Sequence, residues 1–214
     1  MNIGKVVPIP LTKDTAYLAG VIIGDGHISD STKSKTDSSK NYRIFLEFKD
    51  KTYLKQIHNI FLSIIRTKSK PKSSKRGEKE RHYLQLTNKS LFLFFTEKLN
   101  IPKGAKSAIV VIPKMVKNSS ADVKRHFLAG LFDTDGGFRS KSIGFTSASR
   151  YLIKDVSDLL NEFSVKHFRE SWTNKKYMRH YYGIIMYKQE IGKFLKIFPL
   201  RNEEKLKRIR TKYF

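Results

Sequence analysis

The chain has 214 residues, enough for one large domain or for two domains of about 100 residues each. Its 43 lysine and arginine residues against 19 aspartate and glutamate residues give a net charge of +24, which favours a polyanion such as nucleic acid as the partner. A content of 39% apolar and 12% aromatic residues excludes a disordered basic tail, and the absence of cysteine excludes disulfide bonds, thiolate zinc sites and cysteine nucleophiles.

The N-terminal segment MNIGKVVPIPLTKD lacks the apolar run of a secretory signal peptide. The sequence nowhere reaches the ~18 consecutive apolar residues of a membrane span, and it shows no amphipathic anchor helix. We therefore expect an intracellular protein without a membrane partner, in the cytoplasm or nucleoid of a prokaryote or in an organelle.

A nine-residue motif then occurs twice in similar form, as LAGVIIGDG at 18–26 and as LAGLFDTDG at 128–136. The spacing of apolar residues predicts helices over 14–24 and 121–133. An Ala-Gly pair destabilises a helix interior unless something compensates, and small residues allow two helix backbones to approach closely. We expect the two helices to pack through the pairs Ala19, Gly20 and Ala129, Gly130.

Each motif is followed by the same order of patterns. In both halves an alternating segment turns helical (43–61 and 144–163), and a second strand-then-helix segment follows (82–99 and 181–198). The first half has about ten extra residues, placed most simply in the Ser/Lys/Thr-rich stretch 31–40. The fold class is therefore α+β with mostly antiparallel strands. The predicted domains are 1–100 and 120–214, with a linker at 101–119 and a closing helix at 201–210.

Asp25 and Asp135 end the two copies at equivalent positions, in the last turn of each predicted helix. Two carboxylates ~4 Å apart repel by roughly 4 kcal/mol at an effective dielectric of 20, and a helix C-terminus is itself negative. The two carboxylates and the helix-end carbonyls of Gly24 and Thr134 form a set of oxygen ligands suited to hard divalent cations. In a basic protein, such a set points to metal-assisted hydrolysis of a phosphodiester.

A simpler explanation is that Asp-Gly makes a good turn after a helix. This explanation is adequate for a single copy of the motif but much less so for two copies. A calcium-binding loop does not fit DTDGG, because Gly137 stands where a third oxygen ligand is needed and no suitable glutamate follows.

From about Asp14 to Phe198, the sequence resembles the monomeric, two-motif LAGLIDADG homing endonucleases. The resemblance implies two pseudo-symmetric αββαββα halves that form a DNA-binding β saddle around a central two-helix interface. It implies a monomer that makes a double-strand break in a long, asymmetric DNA target during intron homing, leaving short 3′ overhangs. It implies two or three Mg²⁺ ions at Asp25 and Asp135, with Mn²⁺ as a substitute and Ca²⁺ binding without cleavage. Asp133 is assigned a structural role.

Family members often have a basic residue near the metals, at the end of the second strand of each half. Lys49 fits that catalytic position in the first half, and the alignment places Ser147 opposite it, so the second lysine is missing. Lys49 can equally be a solvated lysine at a strand end.

Strand alternation predicts polar faces whose Arg and Gln side chains read base edges, while loop lysines contact phosphates. An ordinary solvated strand face explains the same pattern. In the second half the register stays open between the set with Glu170 and Trp172 and the set with Arg169 and Ser171. The candidate DNA-binding residues are Arg43, Glu47, Lys68, Lys70, Arg81, Tyr83, Gln85, Arg139, Lys141, Arg169, Ser171, Arg179 and Tyr181, with Lys33 and Lys35 among further loop lysines.

Three other functions make different demands on the sequence. A DNA-binding protein that does not cleave would have no need of the two acids. An RNA maturase that binds its own intron RNA is neither supported nor excluded by them. Intein splicing is disfavoured because the chain has no cysteine and no His-Asn terminus, so we expect a free-standing, intron-encoded protein.

Overall fold

The structure is a computed structural model that describes residues 6–32, 40–76, 79–139, 141–176 and 178–214. Lys33 and Lys35, predicted to contact phosphates, lie outside the described residues. The first half of the chain forms α1 (Lys13–Gly24), β1 (Gly26–Thr32), β2 (Lys40–Phe48), α2 (Lys51–Ile64), β3 (Lys72–Arg76), β4 (Lys79–Thr87) and α3 (Lys89–Leu93), which continues as a π-helical turn at Phe94–Lys98.

The second half repeats this order and adds two helices. Its elements are α4 (Lys114–Lys117), α5 (Ala121–Asp135), β5 (Gly136–Phe138), β6 (Ser142–Ser147), α6 (Arg150–Glu162), β7 (Phe168–Asn174), β8 (Arg179–Tyr187), α7 (Lys188–Ile197) and α8 (Glu203–Tyr213). The predicted α+β order of helix, two strands, helix, two strands and helix is therefore confirmed in both halves. Within the described ranges, no helix combines the length and apolar character that a bilayer span requires.

The chain divides into two compact units, one of residues 1–11 and 25–104 and the other of residues 12–24 and 105–214. Helix α1 thus belongs with the second unit, although the sequence placed it in a first domain of residues 1–100. The predicted linker is divided at Gly104, and its later part packs into the second unit. There Val110 and Ile112 are buried, and the Ser149 hydroxyl donates a hydrogen bond of 2.7 Å to the carbonyl of Val110.

The sheet of the first unit has the strand order β1-β2-β4-β3 and is antiparallel throughout. One face is apolar and fully buried at Ile28, Ile44, Leu46, Leu84 and Leu86. Helix α2 packs against β2 and β4. Alternating burial along β2 and β4 therefore fixes which side chains point away from the core.

The β1–β2 hairpin is longer than its counterpart in the second unit. β1 has 7 residues whereas β5 has 3, so part of the insertion in the first half lengthens the paired strands. The predicted loop at 31–40 is therefore too long, because Ser31 pairs with Asn41. Residues 33–39 of that stretch lie outside the described part of the chain.

The sheet of the second unit has the order β5-β6-β8-β7, again antiparallel. Helices α6 and α7 both contact β6 and β8. The buried residues Ile143, Phe145, Ile184 and Met186 form the sheet's side of this core. Helix α6 contributes Leu152, Val156 and Leu160 among others.

Candidate nuclease site and nucleic-acid interface

Helices α1 and α5 pack together through their glycines, inside the second unit. A β-carbon added to Gly20 would lie 2.2 Å from the carbonyl oxygen of Phe127, and one added to Gly130 would lie 2.1 Å from that of Tyr17. Ala19 and Ala129 are fully buried. The two backbones therefore touch where the sequence places its small residues, and no larger side chain fits at either glycine.

The same two helices end side by side. A β-carbon on Gly24 would lie 2.1 Å from Thr134 Oγ1 and 3.3 Å from Asp135 Cγ, so the helices run in the same direction and their last turns meet. Asp135 is half-buried, and Asp25, the residue after Gly24, is exposed. Both predicted metal-binding carboxylates are thus open to solvent, and Asp135 lies next to the end of α1.

Asp133 is the buried acid of this region, with 2% of its surface exposed. Its Oδ2 accepts hydrogen bonds from the Tyr17 hydroxyl at 2.6 Å, from Arg201 N at 2.6 Å and from Asn202 N at 3.2 Å. Burial raises the pKa of Asp133 from 3.8 to about 6, although the bond from Tyr17 and those from the backbone act in the opposite direction. These contacts fit the structural role expected of Asp133.

The raised pKa of Asp133 makes stability depend on pH. Between about pH 4 and 6 the folded protein keeps a proton that the unfolded chain has lost, so the free energy of unfolding should fall as the pH rises. Asp133→Asn removes this titration. We expect the variant's free energy of unfolding, relative to wild type, to rise by about 2 kcal/mol across that window. Urea unfolding at both ends of the window measures the difference, and a value independent of pH would contradict the prediction.

Lys49 is exposed, one residue beyond β2 and one before Asp50, whose side chain caps α2. Gly26 pairs with Leu46 in the first unit, and Gly136 pairs with Phe145 in the second. This register, with the equivalent caps Asp50 and Ser149, makes Ala148 the counterpart of Lys49. The alignment with Ser147 is wrong by one residue, and the second half indeed has no lysine at this place.

The predicted DNA-reading residues of the first unit share one face of its sheet. Arg43 lies opposite Thr87, and Glu47 lies opposite Tyr83, on the side away from the buried residues. Arg81 and Gln85 also lie on this outer side, because they alternate along β4 with residues that are buried on the opposite side. Lys68 and Lys70 line a hollow next to this face. Sequence reasoning missed further residues on it: His27, Ser29, Phe45 and Ser74. Lys72, one of the loop lysines predicted to contact phosphates, lies on the same face at the start of β3.

In the second unit, the register separates the candidate residues. Tyr181 lies opposite Trp172, with the two rings stacked 6.0 Å apart, and Arg179 lies opposite Asn174. Arg169 and Ser171 instead lie opposite Ile184 and Tyr182 and line a hollow with residues of α6. The choice of Arg169 and Ser171 for the outer face is therefore wrong, and the other alternation, that of Glu170 and Trp172, holds. Lys141 is exposed in the turn before β6.

Arg139 forms a two-pronged ion pair with Glu170 on this outer face. Its Nη1 lies 3.0 Å from Glu170 Oε2, and its Nη2 contacts Oε1. The hydrogen bonds that Arg139 donates to Glu170 raise the pKa of Arg139 above its ordinary value. A β-carbon on Gly183 would lie 2.8 Å from Glu170 Oε1, so this glycine provides the room in which the glutamate lies against the sheet.

Lys205 and Tyr213 were not singled out from the sequence, yet both contact the backbone of the segment from the end of α5 to the start of β6. Lys205 Nζ donates to the carbonyls of Phe132, Thr134 and Gly136. The Tyr213 hydroxyl contacts the carbonyls of Arg139 and Ser142. Over the described residues, no group of three or more His, Asp or Glu side chains comes together as a metal site.

Comparison with known proteins identifies the same motifs. Residues 12–100 and 122–199 match the family described as a LAGLIDADG-like domain. The homing endonuclease I-DmoI in complex with DNA and Ca is 22% identical, with a TM-score of 0.70 over 92% of this chain and 98% of that chain. I-DmoI has also been solved with DNA and Mn. I-WcaI bound to its DNA recognition sequence is 16% identical, with a TM-score of 0.60 over 97% and 88% of the two chains.

Curated relatives match along only part of their length. The chain is 27% identical over 173 residues to the isomerizing glutamine–fructose-6-phosphate aminotransferase of Methanocaldococcus jannaschii, which covers 76% of this chain and 14% of that protein. It is 27% identical over 198 residues to the replication factor C small subunit of the same organism, of which it spans 10%. The names of these two relatives describe unrelated activities, so neither name describes the segment that matches this chain. With most of its length matched to one family and with that family's two helices packed through their glycines, the chain belongs to the LAGLIDADG-like domain family.

Proposed function

We propose that the protein is a site-specific DNA endonuclease that makes a metal-dependent double-strand break. The observation that carries this proposal is that the ends of α1 and α5 meet at Gly24, Thr134 and Asp135. An acid stands at each end, since Asp25 follows α1 and Asp135 is the last residue of α5. The solved structures of I-DmoI with DNA and Ca or Mn support it. A cytoplasmic or organellar location and a role in intron homing belong to the same proposal.

Asp25 and Asp135 would hold Mg²⁺, with Mn²⁺ as a substitute and Ca²⁺ as a bound but inactive ion. The residues fit such an ion, because carboxylate and carbonyl oxygens are the ligands of hard divalent cations. The carbonyl of Gly24 completes the donor set, whereas the carbonyl of Thr134 also accepts a hydrogen bond from Lys205 at 3.2 Å. When bound, two or three such ions would supply the nucleophile and stabilise the leaving oxygen.

The protein itself binds and orients the DNA. The net charge of +24 attracts the duplex, and lysines such as Lys68 and Lys70 contact phosphates. The outer face of the first sheet presents Arg43, Arg81 and Gln85, which suit base edges in the major groove. The outer face of the second sheet is aromatic and carries an arginine already paired with Glu170.

Because the two faces differ chemically, the target is asymmetric. The chain carries both acids and therefore acts as a monomer. The proposed product is a break with short 3′ overhangs.

Selection from a random duplex library with Mg²⁺ tests this function. We expect one long, non-palindromic site to be enriched among cleaved molecules, with no cleavage in EDTA and none in Ca²⁺. Sequencing of both product ends measures the overhang. Binding of intron RNA without any cleavage of DNA would replace the proposal with a maturase, and DNA binding without cleavage would replace it with a regulator.

A further inference from the structure

Residues 201–213 at the end of the chain form hydrogen bonds with the end of α5, both before and after Asp135. Before the acid, Arg201 N and Asn202 N both donate to Asp133 Oδ2. After it, the Tyr213 hydroxyl lies 2.7 Å from the carbonyl oxygen of Arg139. Helix α8 is thus fixed at both ends, and Lys205 in its first turns is held against α5.

Lys205 reaches the backbone immediately around Asp135. Its Nζ lies 2.8 Å from the carbonyl of Phe132, 3.2 Å from that of Thr134 and 2.9 Å from that of Gly136. The last two carbonyls belong to the residues on either side of Asp135. The three protons of an ammonium group match three acceptors, so one side chain ties together the turn that carries the acid.

The charge of Lys205 suits this place. The C-terminus of a helix carries partial negative charge, which a cation offsets. The carboxylate of Asp135 adds further negative charge at this helix end, so a cation is favoured there even more. The second unit has Ala148 where the first has Lys49. Lys205 comes from a different element and approaches through the backbone, so it can supply a positive charge that the strand end does not.

We propose that Lys205 is a positioning residue for Asp135. Lys205 fixes the backbone on both sides of this acid and places a positive charge next to it in the second half. The proposal rests on the proposed nuclease function. It makes the two halves unequal, because the printed contacts of Lys205 are with the backbone on either side of Asp135, at the end of α5. Two phosphodiesters must be cut for one double-strand break, so loss of Lys205 should affect one strand more than the other.

Lys205→Met tests the proposal, because it keeps the apolar stem and removes the ammonium. Residues that orient the ligands of a metal contribute ~10–100-fold to activity, and we expect one strand of a supercoiled plasmid to be cut more slowly by that factor. Nicked circles should then accumulate. Lys205→Arg, which keeps the charge, should restore most of the rate. Lys207→Met is the matched control, since Lys207 is exposed on the same helix, and it should leave both rates unchanged.

Backbone hydrogen exchange gives a second measurement that does not depend on cleavage. Amides of residues 133–137 should exchange at least ~10-fold faster in Lys205→Met than in wild type, because the tie on their turn is lost. The rest of α5 should change less. If the methionine variant does not fold, Lys205→Gln, which can donate hydrogen bonds without charge, is measured in its place.

The outcomes separate the two proposals. Equal rates for both strands in Lys205→Met, or unchanged exchange at 133–137, would overturn the role of Lys205. A wild-type protein that cuts no DNA would overturn the nuclease function, while the exchange measurement would still decide whether Lys205 positions the turn of Asp135.

Discussion

Asparagine in place of Asp25 or Asp135 should abolish double-strand cleavage while the variants still bind their target. Asparagine keeps the size of the side chain but loses the charge that holds a divalent cation. Loss of one preorganised charge-stabilising group costs up to ~10³-fold in rate, and we expect a loss of at least that size. Plasmid cleavage with Mg²⁺ measures the rate, and fluorescence anisotropy with Ca²⁺ measures the affinity.

Asp158→Asn provides the matched control for both variants. Asp158 lies on α6, is more than half exposed and pairs with Lys154 in a local i,i+4 arrangement. Surface pairs of this kind contribute little to stability, so this variant should cut at the wild-type rate. Full cutting by either the Asp25 or the Asp135 variant would remove the two-acid mechanism.

The second large effect is expected at the helix contact. In Gly130→Ala, the new β-carbon would lie 2.1 Å from the carbonyl oxygen of Tyr17 and 3.2 Å from Val21 N. Both are backbone atoms, so neither can move aside as a flexible side chain would. Forcing the helices apart should lower the free energy of unfolding by about 3 kcal/mol or more, and Gly20→Ala should do the same because Phe127 O lies 2.2 Å from its added carbon. Denaturant unfolding measures both.

Gly192→Ala is the control for this pair. Gly192 also lies inside a helix, but its added β-carbon would be 3.6 Å from the nearest atom of the Phe214 ring, which is an ordinary contact. Alanine is the better helix former by ~1 kcal/mol, so this variant should be as stable as wild type or more stable. Tolerance of alanine at both Gly20 and Gly130 would show that the helices are not in backbone contact.

The sequence predicts the helix contact and the first sheet well, for clear physical reasons. Glycine inside a helix is unfavourable unless it is needed, and two copies of LAG therefore mark two surfaces that meet. In β2 and β4, the fully buried residues Ile44, Leu46, Leu84 and Leu86 recur at every second position, and only one face can be the core. Leu46 and Leu84 thus fix the positions of Glu47 and Gln85 without further information.

The same reasoning fails where the pattern is weak. Residues Phe168–Asn174 of β7 are exposed or half-buried on both faces, so their sequence does not tell Arg169 from Glu170. The register between the two halves is also weakly marked, because Leu46 in the first unit and Phe145 in the second hold the equivalent paired position, so that Ala148 and not Ser147 is the counterpart of Lys49. The role of Lys205 was not predicted because an amphipathic helix pattern tells which face is buried, not which carbonyls it meets.

The place of α1 in the second unit has a consequence for synthesis on the ribosome. This helix buries the residues from Thr15 to Ile23, and its partner α5 begins only at Ala121. At translation rates of ~5–20 residues per second, the nascent helix waits on the order of 5–20 s for that partner. An apolar segment that emerges early and pairs late is a natural substrate for chaperones, and slower synthesis of the intervening sheet would lengthen its exposure to aggregation.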